Sequence, residues 1–123
     1  MSFEIARKTV RAIVAARENI GLIRQWAGER DLESLRTDIL VRYAIERAFI
    51  AIDSSIKDIP ADLLETFAIP AGMIAGFRNA LAHTYDDIID ERVILTIRED
   101  LPALDSALAG MLKALEEPGG KLT

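Results

Sequence analysis

The chain has 123 residues, half of them hydrophobic, and only 7 glycines and 4 prolines, so it fits one globular domain rather than a disordered chain. It has no cysteine and one histidine, which excludes disulfides, thiolate chemistry and a structural zinc site, and we predict no metal and no cofactor. The net charge of −5 argues against a protein that coats nucleic acid through bulk attraction. Residues 1–60 hold 10 basic and 9 acidic side chains, whereas residues 61–123 hold 5 and 11, so any contact with nucleic acid has to be local.

The first residues and the apolar stretches show neither a leader nor a membrane span. Glu4, Arg7 and Lys8 charge the N-terminus, which is unlike a signal peptide. The longest stretch without charge, residues 66–77, contains Pro70 and is too short to span a bilayer. We therefore expect a soluble cytoplasmic protein with no membrane segment.

A long amphipathic helix is predicted over residues 3–27, where apolar side chains recur at steps of three and four. The stripe consists of Phe3, Ala6, Val10, Ile13, Ala16, Ile20, Ile23 and Ala27. Gly28 suits the end of this helix, and Asp31 suits the N-cap of the next element.

A second helix is predicted over residues 32–57. Its apolar face consists of Val41, Ile45, Ala48, Ile52 and Ile56. Charges four residues apart pair on the helix, and we interpret them as a solvated face. These pairs are Asp38 with Arg42, Arg42 with Glu46, and Asp53 with Lys57.

A connecting region between Pro60 and Pro70 follows, with a short helical turn over residues 61–67. The third helix begins near Pro70, which suits a first-turn position, and ends near His83 or Tyr85.

Small residues recur every four positions along the third helix, at Gly72, Gly76 and Ala80. Such a row lets another backbone approach closely, so we expect it at or near the axis of a dimer. Tight packing inside the monomer is the alternative that stays open.

The last helix has a heptad pattern typical of helix-on-helix packing. Its apolar positions are Ile94, Ile97, Leu101, Leu104, Leu108, Met111 and Leu115. Asp90 is a candidate cap, and Pro102 predicts a kink, or a break with Asp100 capping the restart. With no strand-like alternation, the sequence predicts an all-α, up-and-down four-helix bundle over residues 1–117 and a disordered tail at residues 118–123.

Residues 78–85 carry nearly all the chemistry that the side chains offer near neutral pH, because the only histidine lies there. Arg78 brings a permanent planar cation that matches phosphate. His83 brings the one ordinary side chain that exchanges a proton between about pH 5 and 8. Asn79 lies one helical turn before His83 and can orient the ring or the phosphate. A phosphate clamp beside a proton-transfer group is what cleavage of an RNA phosphodiester requires.

Cleavage of RNA without a metal drives the 2′-hydroxyl onto the neighbouring phosphate. One group takes the hydroxyl proton, a second protonates the leaving 5′-oxygen, and a cation holds the charge on phosphorus. Arg78 suits the last task and His83 either proton transfer. Since each chain has one histidine, a two-fold dimer with both copies of His83 at its axis would supply two proton carriers.

Tyr85 lies seven residues after Arg78, nearly above it on a continuing helix, and such a helix turns it away from His83. Each of the three residues also has an ordinary structural interpretation, which stays open. These are a surface arginine, a half-buried histidine and a core tyrosine with a wet hydroxyl.

The order Arg-Asn-x-x-x-His-x-Tyr at residues 78–85 resembles the Arg-x4-His-x-Tyr motif of the HepT-like toxins, a branch of the HEPN superfamily. In that family the motif lies on the third helix of a small helical bundle, and a polar residue commonly follows the arginine. Residues 43–53 and 99–104 resemble the family's second and fourth helices. The resemblance covers nearly the whole chain except the tail.

The resemblance implies a metal-independent endoribonuclease that acts as a homodimer with a composite site. Arg78 and His83 take the catalytic roles, with Asn79 in support. It also implies a partner, a minimal nucleotidyltransferase antitoxin, which can block such toxins by adding AMP to the motif tyrosine, here Tyr85. Two alternatives stay open: a HEPN module that binds a nucleotide or protein without cutting, and a dimerisation domain in which the motif is coincidental.

Overall fold

The computed structural model describes residues 2–67, 69, 76–80, 82 and 91–116, and all regular structure in those ranges is helical. The elements are α1 (Phe3–Ala27), α2 (Leu32–Thr37), α3 (Ile39–Lys57), α4 (Ala61–Thr66), α5 (residues 76–80), α6 (Glu91–Leu95), a π turn (Thr96–Asp100) and α7 (Leu101–Glu116). The predicted all-α bundle is therefore confirmed. Its up-and-down order stays a prediction, because the third long helix is described only in α5. The candidate cap Asp90 and the tail at residues 118–123 lie outside the described residues.

Within the described ranges, none of the helices is both long enough and apolar enough to cross a lipid bilayer.

Helix α1 begins and ends where the sequence predicts. The hydroxyl of Ser2 accepts an N–H of the first turn at 3.1 Å, and the N–H of Gly28 donates to the carbonyl of Arg24 at 2.9 Å. Gly28 has a φ of 49°, which glycine adopts at little cost and which ends the helix. The buried stripe follows the prediction from Ile13 onward, but Phe3 is 76% exposed, so the predicted stripe is wrong in the first turn.

The single helix predicted over residues 32–57 is two helices, so this prediction is wrong. Asp38 lies between them in an extended conformation, and its carboxylate accepts the N–H of Val41 at 3.2 Å, which caps α3. Nη1 of Arg30 holds the same carboxylate at 3.0 Å. The Val41 N–H and, after it, the Arg30 guanidinium outweigh the effect of burial and lower the pKa of Asp38. The predicted N-cap at Asp31 is confirmed, since its side chain accepts an N–H of α2 at 2.8 Å.

Helix α1 runs antiparallel to both α3 and α7, since the end of α1 lies beside Pro102 and its start beside Leu115 and the end of α3, and two ion pairs join the helices. Nζ of Lys8 lies 3.5 Å from Oδ1 of Asp58, just after the end of α3. Nε of Arg17 lies 3.0 Å from Oδ1 of Asp105 on α7. Large side chains that are fully buried in this core include Ile13, Ile20, Ile23, Phe49, Ile52, Leu108 and Met111. Burying each such side chain stabilises the fold by about 1.5–3 kcal/mol.

Segment α5 packs against α3 through an aromatic pair. The ring centroids of Phe49 and Phe77 are 5.3 Å apart, and the rings are nearly perpendicular at 85°. Edge-to-face geometry of this kind adds about 0.5–1.5 kcal/mol to the burial of the two rings. The pair therefore fixes α5 at the side of α3.

One member of the row of small residues on the third helix is buried inside the monomer. Ala80 is 0% exposed inside the chain's own core, so our expectation that it meets a second chain is wrong. Gly76 is half-buried, and an added Cβ there would make only an ordinary contact at 3.9 Å. Gly72 lies outside the described residues. Packing inside the monomer accounts for Ala80.

The irregularity predicted near Pro102 takes the form of a π turn rather than a break. The N–H of Leu101 bonds the carbonyl of Thr96, five residues earlier, and the chain stays helical from residue 91 to residue 116. A proline ring clashes with the carbonyl four residues before it in a straight α-helix, and a wider turn relieves that contact. Asp100 lies inside the turn, so it does not begin a new helix.

The π turn also changes which residues of the last helix are buried. A π turn holds one residue more than an α turn, so the face before it is displaced by one position. Leu101, Leu104 and Leu108 after the turn are buried as predicted. Before the turn Val93 is buried, and the predicted core residue Ile94 is only half-buried.

Candidate functional site

The residues that the sequence singled out fall partly inside the described ranges. Arg78 and Asn79 lie on α5, and both are exposed. His83 and Tyr85 lie outside the described residues, so their roles stay predictions.

Packing of α5 explains why Arg78 faces outward. The neighbouring Phe77 is buried against Phe49, and successive residues of a helix point about 100° apart. The side chain of Arg78 is consequently 51% exposed at the edge of the α3–α5 contact.

One carboxylate on α3 anchors the arginine. Nε of Arg78 donates to Oδ1 of Asp53 at 3.2 Å, across 25 residues of sequence. Nζ of Lys57 lies 2.9 Å from Oδ2 of Asp53, one helical turn along α3. Two cations thus share a single carboxylate, each on its own oxygen.

Asp53 stays ionised although its side chain is only 14% exposed. Burial by itself raises the pKa of Asp53, but hydrogen bonds from Lys57 and Arg78 outweigh burial and hold that pKa below its usual value. The ion pairs therefore contribute stability above about pH 3.9, the ordinary value of an unfolded aspartate. This contribution is lost as the pH falls through the lower pKa of the folded state.

The arrangement is suited to binding an anion. Asp53 occupies Nε of Arg78, and the described part of the chain gives the two terminal nitrogens no partner. Two such N–H groups match two oxygens of one phosphate. The cluster supplies a cation for phosphate, and the proton transfers fall to His83 in the sequence analysis.

Within residues 2–67, 69, 76–80, 82 and 91–116, no group of three or more acidic or histidine side chains is arranged to hold a metal ion. A cleft of about 570 Å³ lies at the opposite end of α1, where Arg24, Gly28 and Arg98 line it. That cleft does not include Arg78.

Asp53 is the residue of the site that the sequence analysis misassigned. The pairing of Asp53 with Lys57 is confirmed, but a solvated position is wrong for Asp53, which is mostly buried. A signal was present, because Asp53 directly follows Ile52 and comes four residues after Phe49, both of which are fully buried. Its side chain therefore borders the core stripe of α3.

The described helices define a small all-α protein with an exposed arginine that a carboxylate anchors, and comparison with known proteins gives the family. Residues 16–111 match the HepT-like family, described as Ribonuclease HepT-like, and the chain belongs to it. The matched range contains Arg78, Asn79, His83 and Tyr85. The chain is also similar to "Putative RNase MJ0125" of Methanocaldococcus jannaschii, at 29% identity over 90 residues, or 72% of this chain and 78% of the relative. No solved structure matches the chain.

Proposed function

We propose that this chain is a metal-independent endoribonuclease, the toxin of a toxin–antitoxin pair, with Arg78 and His83 as its catalytic residues. Membership of the Ribonuclease HepT-like family supports RNA as the substrate class. The single observation that carries the proposal is the guanidinium of Arg78, which is half-exposed and anchored by Asp53.

In the proposed reaction Arg78 holds the scissile phosphate and His83 moves protons. The imidazole of one chain takes the proton of the 2′-hydroxyl, whose oxygen then bonds to phosphorus. The imidazole of the second chain gives a proton to the 5′-oxygen as its bond to phosphorus breaks. The products are a 2′,3′-cyclic phosphate and a 5′-hydroxyl, and the guanidinium offsets the charge that builds on phosphorus. Asn79, exposed beside Arg78, supports the phosphate or the ring.

The proposed regulation acts on Tyr85 through a minimal nucleotidyltransferase antitoxin. The antitoxin joins AMP from ATP to the phenolic oxygen of Tyr85 and releases pyrophosphate. If the helix continues to Tyr85, the added phosphate places negative charge next to Arg78, which would bind it as it binds substrate. The modified toxin is then blocked by bulk and by occupation of its arginine.

Substitution of Arg78 and His83 tests the proposed nuclease. Arg78→Ala and His83→Ala should each lower RNA cleavage by at least about 100-fold, because one loses the phosphate clamp and the other a proton carrier. Arg24→Gln is the matched control, since it removes an exposed arginine near the other end of α1. Cleavage is followed on a labelled RNA by gel, with and without EDTA, and circular dichroism verifies the fold of each variant.

Three outcomes would contradict the proposal. Cleavage that EDTA abolishes would show that a metal takes part. A His83→Ala protein that still cuts would place the chemistry at another site. An unmodified protein that binds RNA without cutting it would establish the non-catalytic binding module instead.

A further inference from the structure

The proposed mechanism uses one of the two cations on Asp53 and leaves Lys57 without a task. Nζ of Lys57 and Nε of Arg78 contact different oxygens of the same carboxylate, at 2.9 and 3.2 Å. Because those oxygens belong to one group, the two nitrogens lie within about 8 Å of each other. The three side chains together carry a net charge of +1.

The two cations, Lys57 and Arg78, are more exposed to solvent than the carboxylate of Asp53 that they contact. The side chain of Lys57 is 63% exposed and that of Arg78 is 51% exposed, whereas Asp53 lies mostly beneath them. The next acid along the chain, Asp58, is paired with Lys8 at 3.5 Å, which offsets its charge. An anion that approaches Asp53 from solvent therefore meets Lys57 and Arg78 before it reaches the carboxylate between them.

We propose that Lys57 is a second phosphate-binding residue for RNA, at the phosphate next to the one that Arg78 holds, and that Asp53 is the positioning residue for both cations. This rests on the proposed ribonuclease function, because it describes how the same site takes its substrate. A lysine contributes a point charge that attracts the backbone without regard to sequence. The fork of Arg78 fixes the orientation of the reacting phosphate.

The role of Lys57 is tested by separating binding from catalysis. Lys57→Gln should raise KM about tenfold, the effect of losing one charged hydrogen bond, with kcat changed less than about twofold. It should also reduce the slope of log KM against log salt concentration by about 1, as loss of one phosphate contact requires. Lys57→Arg should restore both quantities. Arg24→Gln, which removes a positive charge near the other end of α1, should leave both unchanged.

The positioning role of Asp53 is tested by asking whether the effect of its substitution requires Lys57 and Arg78. Asp53→Asn should lower kcat about tenfold, since the guanidinium loses its fixed orientation. Binding is measured with an RNA oligonucleotide that carries a 2′-deoxy sugar at the cleavage position and so cannot be cut. Asp53→Asn should weaken that binding in the wild-type background and in Lys57→Gln. It should weaken binding no further once both Lys57 and Arg78 are substituted, which a purely structural role would not predict.

The outcomes separate this inference from the nuclease proposal. If the wild-type protein neither cuts nor binds RNA, the proposed function fails. If it cuts, but Lys57→Gln behaves like Arg24→Gln in KM and salt slope, Lys57 binds no phosphate and this inference is overturned. Loss of kcat in Lys57→Gln with unchanged KM would also overturn it, because Lys57 would then act in the reaction rather than in binding. Melting curves of each variant verify that the comparisons are made on folded protein.

Discussion

Asp53 keeps its negative charge in a mostly buried position because two cations, Lys57 and Arg78, each contact one of its carboxylate oxygens. Burial alone would raise the pKa of this carboxylate, since burial disfavours the charged form. Lys57 and Arg78 each supply one hydrogen bond while leaving much of their own side chains in water. Asp53 is therefore the group that loses most of its hydration, whereas the charged ends of Lys57 and Arg78 stay accessible to solvent.

Tyr85 gives the sharpest prediction at this scale. Tyr85→Phe should keep most nuclease activity yet gain no AMP from the antitoxin and ATP, because the bond forms at the phenolic oxygen that phenylalanine lacks. The matched control is Tyr43→Phe, which removes the chain's other tyrosine, exposed on α3, and should gain AMP like the wild type. The measurement is the intact mass of each protein after incubation. The proposed regulation is wrong if the wild type gains no AMP, or if Tyr85→Phe gains as much as the wild type.

At the residue scale, the sequence indicated which side chains carry reactive groups but not which residues they contact. Arg78 and His83 stand out because their side chains carry a fixed cation and a proton that exchanges near neutral pH. The anchor of Arg78 comes 25 residues earlier, and only the packing of α5 on α3 brings the two together. Periodicity along one helix holds no information about such a contact.

Among the elements, α5 has the most direct influence on the site, since the aromatic pair and the Arg78–Asp53 ion pair both join it to α3. Loosening the aromatic pair should therefore move the guanidinium without removing it.

Phe77→Leu tests this coupling. It should lower the free energy of unfolding by about 1 kcal/mol and lower kcat about tenfold, because the adjacent Arg78 is displaced. Ile23→Val is the control, since it removes a fully buried methyl group near the far end of α1 at a similar cost of about 1 kcal/mol and should leave kcat unchanged. Urea unfolding and steady-state cleavage provide the two readouts. Equal loss of activity in both variants would show that global stability, not the position of α5, controls the rate.

The elements were predictable where apolar periodicity or a cap decided them. Helix α1 begins at Ser2 and ends at Gly28, each of which makes a local hydrogen bond with the helix backbone. Helix α4 occupies the predicted short helical turn. The break between α2 and α3 could not be predicted, because the apolar pattern of residues 32–57 continues across it. It depends on Asp38, which caps α3 and is held by Arg30 from eight residues earlier.

For the whole molecule, the proposed reaction makes a specific demand on assembly, because two proton carriers are needed and each chain has one histidine. We expect light scattering at micromolar concentration to give the mass of two chains. A monomer that cleaves RNA would rule out the composite site.

Mixed dimers test the sharing of the site more directly. A dimer with one wild-type and one His83→Ala chain, purified through a tag on each, should cleave at about one hundredth of the wild-type rate. A mixed dimer of wild type with Arg24→Gln should keep the full rate. Half the wild-type rate in the His83→Ala mixture would show that each chain holds a complete site of its own.

The class of the whole fold followed from the sequence because helical periodicity repeats over most of its length, with no competing strand pattern. Assembly did not follow. Ala80 belongs to a row of small residues that suits either a dimer axis or a monomer core, and the same spacing serves both. Only the burial of Ala80 within one chain distinguishes them.

The π turn before Pro102 acts as a one-residue insertion in an otherwise continuous helix. Related sequences without a proline at this position have no steric reason to carry the extra residue, and an unbroken α-helix would lack it. An alignment that allows no gap between Thr96 and Leu101 would then pair each residue before the turn with the wrong neighbour. The buried Val93 would be aligned with a surface position of the relative, and the half-buried Ile94 would be aligned with the relative's core position.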